Sequence, residues 1–340
     1  MTGRRRATSA DVARLAGVSR ATVSFVFNDT QSQSMSATTR EAVHRAAREL
    51  GYVPSAHATA LRRGGSRLVL VLVLVLVPNW ASGPTIMRYL ELMASHLAGH
   101  GLLTVTHVEE AAPLRDLLTA IQPAAVVSLV PLSLEDSALL ARATIVEVHG
   151  YIADFPGKLE SVTLNQQRMG QAQARYLVGL GVTRLAYIYG PDTGHPLRPA
   201  GRIEGARAVV ADLHDQRVCL ETVCYDTEED LDGIVAAWAG SSDRVGVCAF
   251  DDDTALRILA ALRRHGVDVP GKVAVVGMDD IPAGRFSEPP LTTVRPNLEY
   301  QSKAVVHATL KALGMAVDDG PANGAPDTDS AATIVVRGSA

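Results

Sequence analysis

The chain has 340 residues, 47% of them hydrophobic, with a formal net charge of −4, which is enough apolar material to bury cores in two or three units of ordinary domain size. Its most apolar stretch, Leu68 to Val77, is ten residues long, against the roughly 20 that a membrane-crossing helix needs, so no membrane span is expected. Three cysteines, Cys219, Cys224 and Cys248, with no C-x-x-C pair, argue against a zinc finger or a disulfide framework and for core thiols.

The charge is unevenly spread. Residues 1 to 65 hold ten Arg against two Asp and two Glu, a charge of +6, so residues 66 to 340 carry −10. A compact basic segment suits a polyanion such as DNA, which the acidic remainder would repel. Arg4, Arg5 and Arg6 open the chain, but polar sequence follows where a secretory signal would place an apolar core. The expectation is a protein that stays in the cytoplasm.

The first segment predicts three short helices, over Ala10 to Ala16, Arg20 to Phe27 and Ala37 to Leu50, and no strand before residue 67. Within it, the run Asp11 to Ser24 (DVARLAGVSRATVS) has the spacing of a helix-turn-helix. Val12, Leu15 and Ala16 make one apolar stripe and Val23 and Val26 a second, while Gly17 permits a tight turn and Ser19 can cap the next helix. Such a second helix can enter the major groove. Its first turn would bring Arg20 and Ala21 to base edges, with the hydroxyls of Ser19, Thr22 and Ser24 on phosphates. From spacing alone an ordinary helical hairpin is the alternative.

After the breaker Arg62-Arg63-Gly64-Gly65-Ser66, apolar runs alternate with helical patterns, as parallel βα units require. The runs are Leu68 to Val77, Leu102 to His107, Ala124 to Val130, Ile145 to His149, Leu185 to Tyr189, Val245 to Phe250 and Val273 to Met278, with a weaker one at Val218 to Tyr225. Four precede a gap near Ser161 and the rest follow it. Two Rossmann-like lobes are therefore predicted, with a ligand between them beyond the strands' carboxyl ends. The stretch from Gly314 to Ser330 reads as a surface loop before a last strand, Thr333 to Arg337.

The whole chain resembles the LacI/GalR family of transcriptional regulators. The resemblance is carried by Asp11 to Asn28 (DVARLAGVSRATVSFVFN), Ser36-Ala37-Thr38-Thr39-Arg40 and Leu50-Gly51-Tyr52-Val53-Pro54-Ser55. It implies an all-α helix-turn-helix headpiece joined to an α/β core of two lobes like those of periplasmic binding proteins. The implied division is a DNA-binding domain over 1–54, a hinge over 55–66, and an effector-binding and dimerisation domain over 67–340. Within the last, lobe one is assigned to about 67–162 and 291–313, and lobe two to about 163–290 and 330–340. The resemblance further implies a homodimeric repressor of double-stranded, pseudo-palindromic operator DNA, released or recruited by a small polar, sugar-like effector. Implied DNA contacts are Ser19, Arg20, Ala21, Thr22, Ser24, Phe25 and Asn28, with Ser55, Ala58 and Leu61 in a hinge helix whose Leu61 wedges into the minor groove. Phe25 stands where members often carry a polar or basic residue, so it can touch a thymine methyl but cannot make a bidentate guanine contact.

For the effector, Gly201-Arg202-Ile203-Glu204-Gly205 and Gly277-Met278-Asp279-Asp280 match the motifs whose arginine and first aspartate reach the ligand, and Pro290 to Val294 marks the crossover between lobes. Thr85 and Ile86 fall where members have aromatic residues. Asp251 and Asp252 after one strand run, and His149 after another, are candidates by topology, each as readily a solvated cap. Neither a metal, a cofactor nor a catalytic constellation is expected. Gly179-Leu180-Gly181 lacks the third glycine of a dinucleotide fingerprint, with Arg184 in its place, and no glutamate follows His96 to make the His96/His100 pair a metalloprotease motif. A secreted solute-binding protein and a carbohydrate enzyme on the same scaffold are the competing classes. The first would need a signal sequence and the second a reacting set of side chains, and the sequence offers neither.

Overall fold

A computed structural model describes residues 7–28, 35–54, 66–73, 83–108, 113–129, 132–150, 160–190, 199–213, 218–316 and 332–340. The chain divides into two units, Met1–Arg67 and Leu68–Ala340. The first is helical. It consists of α1 (Ser9–Ala16), α2 (Arg20–Asn28) and α3 (Ala37–Leu50). Short polar side chains set the boundaries: Thr8 and Asp11 form a capping box at the start of α1, Ser36 caps α3 by accepting from Thr39 N, and Gly17 ends α1 at φ 67, in the left-handed conformation glycine adopts without cost. Val12, Val23, Val26, Val43, Ala46 and Ala47 fill the core. Leu15, expected on the buried stripe, is instead 47% exposed. At 100° per residue Val12, Ala13 and Ala16 share one arc, and Leu15 falls to its side.

The second unit is α/β. Its first sheet holds β1 (Leu68–Val73), β2 (Leu103–Val108), β3 (Ala125–Ser128) and β4 (Val146–His149) in the order β2-β1-β3-β4, all parallel. Between them run α4 (Gly83–Gly99), α5 (Leu114–Ile121) and α6 (Leu134–Arg142). The second sheet contains β5 (Arg184–Tyr189), β6 (Cys219–Cys224), β7 (Val245–Ala249), β8 (Val273–Met278), β9 (Thr292–Pro296) and β10 (Ala332–Val335), ordered β10-β9-β8-β7-β5-β6. It is parallel except that β10 runs against β9. Its helices are α7 (Glu160–Gly179), α8 (Ala200–Ala211), α9 (Glu228–Gly240) and α10 (Asp252–Arg264). The orders 2-1-3-4 and 6-5-7-8 are the same doubly wound pattern. Each sheet thus has a switch point, at β1/β3 and β5/β7, with a crevice beyond its carboxyl ends.

Both sheets are buried on two faces, which is why the strands read as unbroken apolar runs: every residue of β3, β7 and β8 is buried. The structure bears out one weak expectation and corrects two others. The weak run at Val218 to Tyr225 is a strand, β6, on the sheet edge with Cys219 and Cys224 exposed, so only Cys248 is a core thiol. The stretch from 291 belongs to the second lobe through Pro296, because β9 pairs with β8 over Thr292, Thr293 and Val294. α11 (Leu298–Ala312) returns to the first lobe, where Val305, Val306 and Leu310 pack with Met93 and Leu97 of α4.

Candidate functional site

In the helical unit, Ser19, Arg20 and Ala21 are exposed at the start of α2, and Thr22, Ser24 and Phe25 are half-buried beside the buried Val23 and Val26. Ser19 Oγ accepts from Thr22 N at 3.1 Å and lies 2.9 Å from Thr22 Oγ1. The expected cap is present. Phe27 makes edge contacts with His44 at 5.4 Å and Tyr52 at 5.7 Å, fixing the end of α2 against α3 and the segment after it. Asn28 ends α2. Ser55, Ala58 and Leu61 lie outside the described residues.

In the α/β unit a cleft open to solvent lies between the lobes. The first lobe lines it with Thr85, Ile86 and Tyr89 of α4 and with Leu298 and Gln301 of α11. The second lobe supplies Gln166 and Met169 of α7, Arg202 of α8, Phe250, Asp279 and Pro296. Four residues expected from sequence, Arg202, Asp279, Thr85 and Ile86, are therefore brought together.

Arg202 is held in place before any ligand arrives. It is only 4% exposed, its Nε donates to Gln166 Oε1 at 2.7 Å, its Nη1 donates to the Phe250 carbonyl, and its guanidinium sits 4.7 Å over the Phe250 ring. The backbone makes that possible. An added Cβ on Gly170 would overlap the Arg202 carbonyl, and one on Gly205 would overlap the Gln167 carbonyl, so α7 and α8 touch main chain to main chain and bring Gln166 opposite Arg202. Beneath them Gln173, fully buried, donates to the carbonyls of Ala249, Val276 and Gly277, tying the ends of β7 and β8 together under the cleft. Burial pushes the phenols of Tyr89 and Tyr187 up, so both stay neutral.

Three candidates from topology are not on the lining. Asp251 is the N-cap of α10, accepting from Thr254 N at 2.8 Å. His149 Nε2 lies 3.3 Å from Glu147 Oε1, which also accepts from Ser137 Oγ. Asp252 is 1% exposed and turned under β8. Sequence reasoning missed Tyr89, Gln166, Met169, Phe250, Pro296, Leu298 and Gln301. Their spacing, as in Ile86/Tyr89, Gln166/Met169 and Leu298/Gln301, is that of any helix face turned to a core, and nothing in the sequence separates the two uses.

Comparison with known proteins gives two family matches, "Bacterial regulatory proteins, lacI family" over residues 8–55 and "Periplasmic binding protein-like domain" over residues 174–340. The ribose operon repressor of Escherichia coli K12 is 30% identical over 295 residues, covering 85% of this chain and 87% of that protein. The chain belongs to the lacI family of bacterial regulatory proteins. The HTH-type transcriptional regulator MalR of Streptomyces coelicolor is 29% identical over 321 residues, 90% of each chain. Among solved structures, the Lac repressor dimer bound to operator and an anti-inducer shares the fold of this LacI-family regulator with a TM-score of 0.73 at 21% identity, covering 98% of this chain and 99% of that one. A complex of the transcriptional regulator CelR with cellobiose matches with a TM-score of 0.60 at 25% identity over 98% of this chain and 100% of that one. The LacI-family headpiece and two-lobed body are thus both present in one polypeptide, and no helix among the described residues is long and apolar enough to cross a membrane.

Proposed function

We propose that this LacI-family regulator is a cytoplasmic, nucleoid-associated homodimeric repressor. It binds a pseudo-palindromic operator through Ser19, Arg20, Ala21, Thr22, Ser24, Phe25 and Asn28 of the headpiece and Ser55, Ala58 and Leu61 of the hinge. A small, polar, sugar-like effector in the cleft controls that binding. Arg202 and Asp279 fix the effector's hydroxyls, Thr85 and Ile86 face it from the other lobe, and the protein acts by binding alone. The observation that carries the reading is the joining of a helix-turn-helix to a cleft in which a pre-held guanidinium and a carboxylate meet an otherwise mostly apolar wall. Opposite single charges leave the lining without net charge, which suits a neutral polyhydroxyl compound and disfavours a phosphate or a dicarboxylate. A ligand that grips both lobes shifts the population toward one lobe arrangement. A change from 1:99 to 99:1 takes about 5.5 kcal/mol of differential affinity.

The test is selection of bound DNA from a random pool by the full-length protein and by a chain starting at Ser66. The expected outcome is a palindromic motif enriched by the full-length protein only. Enrichment by neither chain, or equal enrichment by both, overturns the reading.

A further inference from the structure

The turn after β8 carries Asp279 at φ 104 and Asp280 at φ 53, two consecutive residues with side chains in the left-handed region. Such a backbone persists only where its surroundings hold it. Three ties do so here. Asp279 N donates to the Val294 carbonyl at 2.8 Å. Asp280 accepts from Arg295 Nε at 2.7 Å and pairs with Arg337 through its other oxygen. The third tie comes from another element altogether: Ile281 N donates to Asp252 Oδ2 at 2.8 Å, and Thr293 Oγ1 donates to Asp252 Oδ1 at 2.5 Å.

Asp252 opens α10, and its carboxyl reaches beneath β8 to bind the turn on one side and β9 on the other. The fit leaves no slack, since a Cβ on Gly277 would overlap Asp252 Oδ1. The residue is buried, it does not line the cleft, the Asp279 and Asp251 carboxylates act on it as like charges, and among the described residues its hydrogen-bond partners are Ile281 N and Thr293 Oγ1, neither of them a cation. An acid in such surroundings is costly, and an apolar side chain of similar size would fill the space at lower cost. What an apolar side chain cannot do is hydrogen-bond the Ile281 N–H and the Thr293 hydroxyl together.

We propose that Asp252 is a positioning residue for the effector site, its carboxyl fixing the backbone of the turn so that Asp279 faces the cleft. This rests on the reading of Asp279 as an effector contact, and the two can fail separately. Hydrogen–deuterium exchange of the full-length protein, wild type against Asp252→Ala and Asp252→Asn, reads the backbone directly. In Asp252→Ala the Asp279 amide exchanges about tenfold faster or more while amides inside β7 and β8 hold their rates. Asp252→Asn, which still offers an oxygen to Ile281 N, restores most of the protection. An unchanged Asp279 amide in Asp252→Ala overturns the proposal, as does an acceleration spread evenly through the second lobe. In parallel, ribose and cellobiose are titrated calorimetrically into wild type, Asp252→Ala and Asp279→Asn. Weakening of a bound sugar by both substitutions supports the effector role. A sugar that binds wild type and Asp279→Asn alike overturns Asp279 as a contact, and binding of neither sugar to the wild type removes the support for a sugar effector; in both cases the exchange rates alone still decide whether Asp252 holds the turn.

Discussion

Asp252 ionises with a pKa of 3.8 in an unpacked chain, and in the folded protein it is pushed up to about 8. Burial is the main cause, reinforced by the neighbouring Asp279 and Asp251 carboxylates and opposed by the hydrogen bonds from Thr293 and Ile281. The folded state therefore holds this proton where the unfolded chain has lost it. Its contribution to stability is fully present below about pH 4, declines as pH rises to about 8, and is flat above that. Asp280, in the turn that Asp252 holds, has the opposite sign: burial opposes its ionisation, but the hydrogen bonds from Arg337 and Arg295 outweigh it and hold the carboxyl below its ordinary range. Asp252→Asn isolates the first effect. Denaturant midpoints of wild type and variant at pH 5, 7 and 9 should show the variant gaining on the wild type at both steps, more between pH 5 and 7 than between pH 7 and 9; a constant difference across the series would mean that Asp252 is ionised in the folded protein. Neither role was legible in the sequence. Asp251-Asp252-Asp253 are three like residues after an apolar run, and only the start of α10 decides that the first caps the helix and the second turns inward.

At the scale of elements, the contact between α7 and α8 does most to build the cleft. Gly170 and Gly205 are the points of contact, and neither is required by a turn or a positive φ. Gly205→Ala places a methyl group into the Gln167 carbonyl, and Gly170→Ala one into that of Arg202, so each should cost about 1–3 kcal/mol of stability or more. Urea denaturation measures the loss. A change within a few tenths of a kcal/mol would show that the helices can separate freely. The sequence motif Gly201 to Gly205 pointed to Arg202 as a ligand group, but the reason for Gly205 appears only when α7 lies across it. Similarly, Gln173 looks like a solvated helix residue until the ends of β7 and β8 supply the carbonyls that its amide bridges. Most helices and strands were legible, because sheets covered on both faces give apolar runs and short polar caps mark helix starts, but β9 was read as the crossover. The return to the first lobe was misplaced by a few residues, since β9, Thr292 to Pro296, holds no apolar run to mark it as a strand.

For the whole molecule, the +6 of residues 1 to 65 against the −10 of the remainder predicts a steep salt dependence confined to the full-length chain. Raising salt from about 50 to about 200 mM should lower DNA affinity at least about 10³-fold if six or more phosphates are contacted per complex, with a linear slope in a logarithmic plot. A filter-binding series checks it, and a flat dependence would exclude the headpiece as the DNA-binding surface. The sequence by itself determined the division of labour, a basic helix-turn-helix and an acidic α/β body, and the family resemblance of its short motifs named Arg202 and Asp279 as residues of one site. Those features rest on local pattern, namely cap residues, apolar period, charge density and short motifs, which a linear chain displays directly. The tertiary structure alone decided which of several equivalent acids caps, clamps or faces the cleft, which helix faces line it, and where the chain leaves one lobe for the other. The clamp and the lining depend on groups more than 25 residues apart meeting within a few ångströms, as Ile281 and Thr293 do at Asp252. No local pattern records such a meeting.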